Sequence, residues 1–365
     1  MMALTMPTIE IMFKQLAATF IQRSERGTAV LIIRDDTEAA ALSDFVKYTD
    51  AAAASADSEF YTAANMQYIE DALSFKAKEL YVVRIASDGE LNNALTEIKR
   101  RLSTGWITVA DGTTEDFTLL KSWIVSQENS SLTYKAVCFN LTAPDCMHIV
   151  NFGNEKVTFS DSRGEVSGAK YTPSLIGMLA GCNVEQGSTN YVCANLVSVK
   201  EVENRDAAID DGLFILYNDD DYVKVGRGVN SLTTLNGSTR TEDMRFIDIV
   251  EAIDLMRDDI AKTWHNDYSG KYKNLYDNQI LFISAVNGYF RELADQYVLD
   301  KNYANVCSVN VEAQRSAWLA SGKTEAAGWD ETKVRNMTFK RKVFLTNDVK
   351  ILGVMEDLRF DVNIA

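Results

Sequence analysis

Histidine is the side chain most often used to move protons near neutral pH, and this chain has two, His148 and His265. Neither lies in a motif. A Ser-His-Asp or Cys-His arrangement would have to be drawn from scattered positions, and a packed or surface histidine accounts for both. The five cysteines, Cys138, Cys146, Cys182, Cys193 and Cys307, contain no C-x-x-C pair. They offer no zinc-ligand spacing and read as buried free thiols of a reducing compartment. Asp219-Asp220-Asp221 could hold calcium, but the alternating aspartates and distal glutamate of an EF-hand loop are missing, so a solvated hairpin tip is expected. Gly226-Arg227-Gly228 starts like a phosphate-binding loop, yet Ser231 stands where the third glycine belongs and no Gly-Lys-Ser/Thr follows. These residues predict no catalytic, cofactor-binding or metal-binding site.

The elements that would position such residues are clearer. From 28 to 140, apolar strands alternate with helices. The strands are Ala29–Ile33, Leu80–Ile85, Trp106–Ala110 and Tyr134–Phe139, and the helices are Ala63–Ala77, Leu91–Leu102 and Thr113–Val125. That order predicts a parallel or mixed sheet covered on both faces. Such a sheet raises a nucleotide-binding reading on fold alone. The turn after its first strand, Arg34-Asp35-Asp36-Thr37, has no glycine and would repel a pyrophosphate. Short strands follow at 149–152 and 157–159, then a helix opened by Pro173, and a hairpin from Leu213–Tyr217 and Tyr222–Val225. Thr239-x-x-Glu242 reads as a capping box for a helix carrying Phe246, Ile247, Val250, Ile253, Met256 and Ile260. Asp277 is expected to cap a second helix through Phe282, Val286, Tyr289, Phe290, Leu293 and Tyr297, and strands are expected at 340–346, 349–355 and 358–364.

Composition narrows the partners. The 365 residues are 46% hydrophobic and 24% charged, with a net charge of −15. A sizeable core is affordable, while binding to nucleic acid or to anionic membrane is disfavoured. No secretory signal and no 18-residue apolar run are seen, so no membrane insertion is expected.

The two ends carry the positive signal. Thr8-Ile9-Glu10-Ile11-Met12-Phe13 and Leu358-Arg359-Phe360-Asp361-Val362-Asn363-Ile364 both alternate like strands with one buried face. Burying the four apolar residues of the second stretch gains roughly 6–12 kcal/mol. Ordering its backbone costs about 7–14 kcal/mol. A terminal strand therefore holds only when it finds a sheet edge, in its own chain or in another copy.

Several segments, taken in order, resemble contractile-tail sheath proteins of Gram-positive phages, defective prophages and phage-tail-like bacteriocins of the diffocin type. They are Pro7–Ala17 with Arg23-Ser24-Glu25-Arg26-Gly27, Tyr171–Gly181, Val225–Thr234, Tyr268–Asn278 with Asn287-Gly288-Tyr289-Phe290, and Met355-Glu356-Asp357-Leu358. Residues 90–165 add little to the match, Gly353-Val354 departs from the acidic or bulkier pair expected there, and the chain is short for the family. The resemblance implies an α/β and α+β fold. It would have an N-terminal arm (1–27), a peripheral α/β domain (28–165, with its first strand assignable to the core), a core sheath domain (166–346) and C-terminal strands and arm (347–365). It implies a structural subunit rather than an enzyme, polymerising with copies of itself as stacked six-fold rings around a tail tube protein. Both terminal stretches would serve as arms that add strands to neighbouring subunits. Baseplate and tail-terminator proteins would be further partners, and contraction would drive the tube through a cell envelope. Assembly would take place in the host bacterial cytoplasm, with release by lysis. The alternatives are a cytosolic α/β enzyme or nucleotide-binding protein and, less well fitted in length, a tail-tube protein.

Overall fold

Strand β1 (Thr28–Arg34) is apolar at five consecutive positions, which suits a strand covered on both faces. The computed structural model describes residues 20–38, 42–182, 184 and 186–363. In it, β1 joins β2 (Phe45–Tyr48), β3 (Glu79–Ile85), β4 (Thr104–Val109), β5 (Thr133–Phe139) and β6 (Ile149–Phe152) in one sheet. Strands β7 (Lys156–Phe159), β8 (Glu165–Ser167) and β9 (Leu196–Val199) make a three-stranded sheet. Strand β10 (Leu213–Phe214) returns to the large sheet, whose order is β10-β6-β5-β4-β1-β3-β2. Every pair in it is parallel except β2 with β3. The mixed architecture of sheets and helices expected from the sequence is the one observed.

The helices interleaved with these strands are α1 (Ala51–Ala56), α2 (Ala63–Leu73), α3 (Leu91–Arg101), α4 (Thr114–Asn129) and α5 (Thr172–Gly181). Alternate residues of β1 serve two cores. Ala29, Leu31 and Ile33 pack with Ile69 of α2 and with Leu175, Ile176 and Leu179 of α5. Val30 and Ile32 pack with Leu95 and Ile98 of α3 and with Phe117, Leu120 and Ile124 of α4. Helix α5 lies so close to α2 that a Cβ at Gly177 would meet the Ala72 carbonyl oxygen at 2.0 Å. Only glycine fits there.

Past α6 (Arg205–Asp210), the hairpin of β11 (Leu216–Asp219) and β12 (Tyr222–Val225) forms slightly later than expected, because Leu213 and Phe214 pair with β6 instead. Helix α7 (Ile247–Thr263) continues into a π-helical turn, Trp264–Tyr268. Then come α8 (Tyr276–Asp295), β13 (Val306–Val309), α9 (Val311–Ala320), α10 (Glu331–Asn336) and β14 (Leu345–Asp348). Contacts divide the chain inside α7: residues 24–258 with 351–365 form one compact unit, and residues 259–350 with 20–23 form another. Residues 28–165 and 166–258 thus share a unit, since β10 completes the sheet that β1 begins. The second unit has its own small core, where Ala326, Trp329 and Val334 are covered by Val311, Trp318 and Met337.

Three local expectations are corrected. Thr239 and Glu242 form no capping box. The Thr239 hydroxyl accepts the Asn236 amide, Asn236 Oδ1 accepts the backbone N–H groups of Ser238, Thr239 and Arg240, and a 3-10 turn at Glu242–Arg245 precedes α7. The N-cap of α8 is Leu275, and Asp277 lies inside the first turn, where its charge favours the helix dipole without capping. At the C-terminal end, residues 340–342 form a turn and strand structure is confined to Leu345–Asp348, with an isolated bridge at Ile351. Residues 352–363 carry no strand or helix.

Candidate functional site

The residues that could do chemistry are occupied with holding the fold together. His148, in the turn just before β6, is buried between two carboxylates: Nδ1 lies 2.9 Å from Glu128 and Nε2 3.1 Å from Asp254. Burial alone would lower its pKa, but the neighbouring Asp254 and Glu128 outweigh this and raise it to about 9. The ring is therefore an imidazolium donating from both nitrogens. Cys146 donates its thiol to Glu128 at 3.1 Å, and burial pushes its pKa up. Glu128, Cys146 and His148 bring their ligand-type atoms within 4.8 Å of one another. Here the three are joined to one another by hydrogen bonds, Cys146 and His148 both meeting Glu128. His265 is exposed in the π-helical turn.

A larger network surrounds His148, and the sequence reading missed it. Lys135, buried on β5, lies 3.1 Å from Glu251 and 3.0 Å from Asp254 of α7. Trp106 donates to Glu251 at 2.9 Å. Asp258 accepts from Thr133 at 2.7 Å and pairs with Arg26 at 2.9 Å. Burial resists the charge on Asp254, yet Lys135 and His148 hold its carboxyl down to about 2. The signal was present in the sequence. Lys135 interrupts an apolar strand, and Glu251, Asp254 and Asp258 recur at helical spacing beside the apolar stripe. Attention to the apolar positions alone hid it.

The crevice where open α/β sheets bind ligands lies at the carboxyl ends of the strands where their order reverses, here between β1 and β4. Arg34 and Asp116 close it with two hydrogen bonds of 3.1 and 2.7 Å. Asp116 also caps α4 through a box with Thr113, so the helix terminus that would hold a phosphate already faces a carboxylate. Asp35 is buried beside it. Burial opposes its charge, but hydrogen bonds from Thr37, Asn65 and Thr62 hold its pKa down to about 2. The nucleotide-binding alternative has no supporting geometry here.

Two sequence segments without assigned chemistry meet at the root of the C-terminal stretch. Arg227, of the Gly226-Arg227-Gly228 segment, donates Nε to Glu356 at 2.8 Å and also pairs with Asp357. Thr189 donates to Glu356 at 2.5 Å, and the Val354 N–H donates to Asp248 at 3.2 Å. A Cβ at Gly228 would come 2.6 Å from Ser188 Oγ, so its glycine serves close packing rather than phosphate binding. Beyond this clasp the chain projects. Leu358 is 88% exposed, Phe360 79% and Val362 67%, with Arg359 and Asp361 paired to each other between them. Asn363 is exposed, and Ile364 lies outside the described residues, as does the whole predicted N-terminal strand Thr8-Ile9-Glu10-Ile11-Met12-Phe13.

The unit formed by 259–350 presents a sheet of two strands, β13 and β14, paired antiparallel. Its two edges differ. Asn287 of α8 donates its amide to the Cys307 carbonyl at 3.2 Å and accepts the Cys307 N–H at 2.7 Å, filling a strand's place beside β13. Along β14, Thr346, Asn347 and Asp348 are exposed, and no strand covers the outer edge among the described residues.

This mixed sheet, flanked by helices and followed by a smaller two-stranded unit, defines the class: the fold is that of contractile sheath proteins. The structure matches that of a sheath tail protein from Desulfitobacterium hafniense with a TM-score of 0.66 at 15% identity, covering 84% of this chain and 94% of that one. It matches the helical sheath of the anti-feeding prophage in its contracted state with a TM-score of 0.70 at 12% identity, covering 99% of both. In sequence, the phage tail sheath C-terminal domain matches residues 239–365. A tail sheath protein of Clostridium phage phiCD119 is 27% identical over 97% of this chain and 98% of its own length. Along its length the chain is thus similar to contractile-tail sheath proteins, in sequence and in fold, the resemblance that its ordered segments carry.

Proposed function

We propose that copies of this chain polymerise as stacked six-fold rings around a tail tube, with each C-terminal stretch from Leu358 onward adding a strand to a neighbouring copy. The observation that carries the reading is the exposure of Leu358, Phe360 and Val362 beyond a fixed root. An alternating strand that leaves its apolar face in water is incomplete alone. The open β14 edge is the acceptor that fits. A two-stranded sheet is marginal by itself, and Asn287 already fills the β13 side. The stretch Thr8–Phe13 would act as the matching N-terminal arm. In this scheme residues 28–165 face outward, 166–346 form the core that contacts neighbours, and baseplate and terminator proteins cap the polymer. The relative solved in a contracted state supports contraction that drives a tube through a target envelope. Assembly in a bacterial cytoplasm and release by lysis agree with five buried free thiols.

Truncation at Asp357 tests the reading. The shortened protein is expected to fold with an unchanged melting temperature and to form no tubes by negative-stain electron microscopy. Normal tubes from the truncated protein would overturn the arm exchange.

A further inference from the structure

The chain is acidic, but its charge is unevenly placed. Residues 259–350 carry 13 Lys and Arg against 11 Asp and Glu, whereas the rest of the chain carries 24 against 41. Within the less acidic unit, three cations stand together in the turn Phe339-Lys340-Arg341-Lys342. All three are exposed, and none makes an ion pair among the described residues. The turn is built rather than loose. The Lys342 N–H donates to the Phe339 carbonyl at 2.9 Å, and Lys340 sits at φ 46°. The Asn274 amide reaches the carbonyls of Phe339, Lys340 and Lys342 at 3.4, 3.2 and 3.1 Å, and buried Gln279 fixes Asn274 by a 2.7 Å hydrogen bond. Phe339 packs edge-on against Trp318 at 4.9 Å. Three positive charges on a braced turn repel one another; Lys340 lies over the Phe339 ring at 5.2 Å, and no carboxylate pairs with any of the three among the described residues.

The acidic unit holds a matching feature. The β11–β12 hairpin turns through Asp219-Asp220-Asp221. Asp219 is paired with Lys224, while Asp220 and Asp221 are exposed without an ion pair among the described residues. Asp220, at φ 47°, fixes the tip. We propose that the basic turn 340–342 of one copy docks on the acidic tip 219–221 of a second copy, an electrostatic contact repeated at every subunit of the polymer. The inference rests on the reading of the chain as a polymerising sheath subunit. Exposed ion pairs are individually weak, but repetition along an assembly multiplies them, and complementary charge sets register and encounter rate. An acidic partner protein or a polyanion could be held by the same cations; the strongly negative balance of the chain outside 259–350 favours a second copy.

Sedimentation of the full-length protein at about 50 mM and about 500 mM NaCl, across a concentration series, tests this. Three variants are compared: Arg341→Glu with Lys342→Glu; Asp220→Asn with Asp221→Lys, Asn being chosen because it tolerates left-handed backbone; and all four changes in one chain. Melting temperatures check that each is folded. Each charge-altered pair is expected to raise the concentration needed for assembly about tenfold at low salt, and less at high salt. The four-fold variant is expected to return towards the parental value. Parental assembly by either pair, or a four-fold variant no better than the pairs, overturns the contact. So does a turn variant that self-assembles like the parent but loses an added acidic protein or polyanion. If the turn variants behave as the parent while truncation at Asp357 abolishes assembly, the docking inference falls and the arm reading stands. A parental protein that stays monomeric at low salt overturns both.

Discussion

Ala29–Ile33 and Leu358–Val362 both read as strands from their residues, and the structure treats them oppositely. The first is fully buried, paired on both sides by β3 and β4. The second has three apolar side chains in water and no strand partner among the described residues. Periodicity reports that a stretch is fit to lie in a sheet; it does not say whose sheet. The difference lies in what surrounds each. β1 is followed by helices that fold back over both its faces, so its partners arrive from the same chain. Leu358 follows a clasp that stops at Asp357, and no element among the described residues covers it. Apolar alternation beyond a fixed anchor is the observation on which the proposed arm exchange rests.

The widest gap between the two stretches should appear when each receives the same insult. Leu31→Asp places a carboxylate between α2, α5 and the sheet with no partner, which costs more than most domains have to spare. That protein is expected to be insoluble or unfolded by circular dichroism. Phe360→Asp should leave the melting temperature within about 1 °C of the parent, because a surface substitution changes stability by little, and should abolish tubes. A Phe360→Asp protein that melts far lower would mean that the stretch packs on its own chain.

Much of this contrast was legible beforehand. The four strands and three helices between 28 and 140 stand close to where their apolar runs placed them, since each buries a face within one sheet. The boundaries that failed, at Thr239, Asp277 and residues 349–355, are places where a local motif competed with tertiary partners. Asn236 took the Thr239 hydroxyl, and Asp248 and Arg227 took the backbone and side chains of 354–357 that a strand would have used otherwise. The clasp itself was half visible. Gly226-Arg227-Gly228 and Met355-Glu356-Asp357 both stood out as segments, but nothing in a linear sequence says that a cation at 227 meets carboxylates at 356 and 357. The ionic network under α7 was hidden for the same reason, its members being drawn from β4, β5, α4, α7 and the segments that hold Arg26 and His148.

That network gives the buried region a pH dependence. His148 is raised from an ordinary value near 6.5 to about 9 in the folded state. The stabilisation is therefore complete below about pH 6.5 and is lost as pH rises through about 9. Its size is on the order of 2–4 kcal/mol. Asp254 works in the opposite direction: its contribution holds above the ordinary aspartate range and is lost as pH falls towards about 2. Urea unfolding at steps from pH 6 to pH 9.5 should show stability declining in the parent and a flatter profile in His148→Gln. Equal slopes in the two would mean that His148 is not the group responsible.

The smallest expected effect falls where the two behaviours meet, at the clasp. Arg227 is about a third exposed and Asp357 almost fully so, which places their pairing among ordinary surface ion pairs; Glu356, better covered, adds the hydrogen bond from Thr189. Arg227→Ala should therefore reduce folding stability by only about 0.5–1 kcal/mol, and by less at high salt. Its consequence for assembly should be larger than that figure suggests. The clasp fixes where the projecting stretch begins, so releasing Asp357 and loosening Glu356 lengthens the part without an anchor and lowers the effective concentration of Leu358–Val362 at a neighbouring edge. Slower tube formation with nearly unchanged melting would place the clasp's role in aiming the arm, whereas a large loss of stability with normal tubes would make Arg227 a core residue of its own unit.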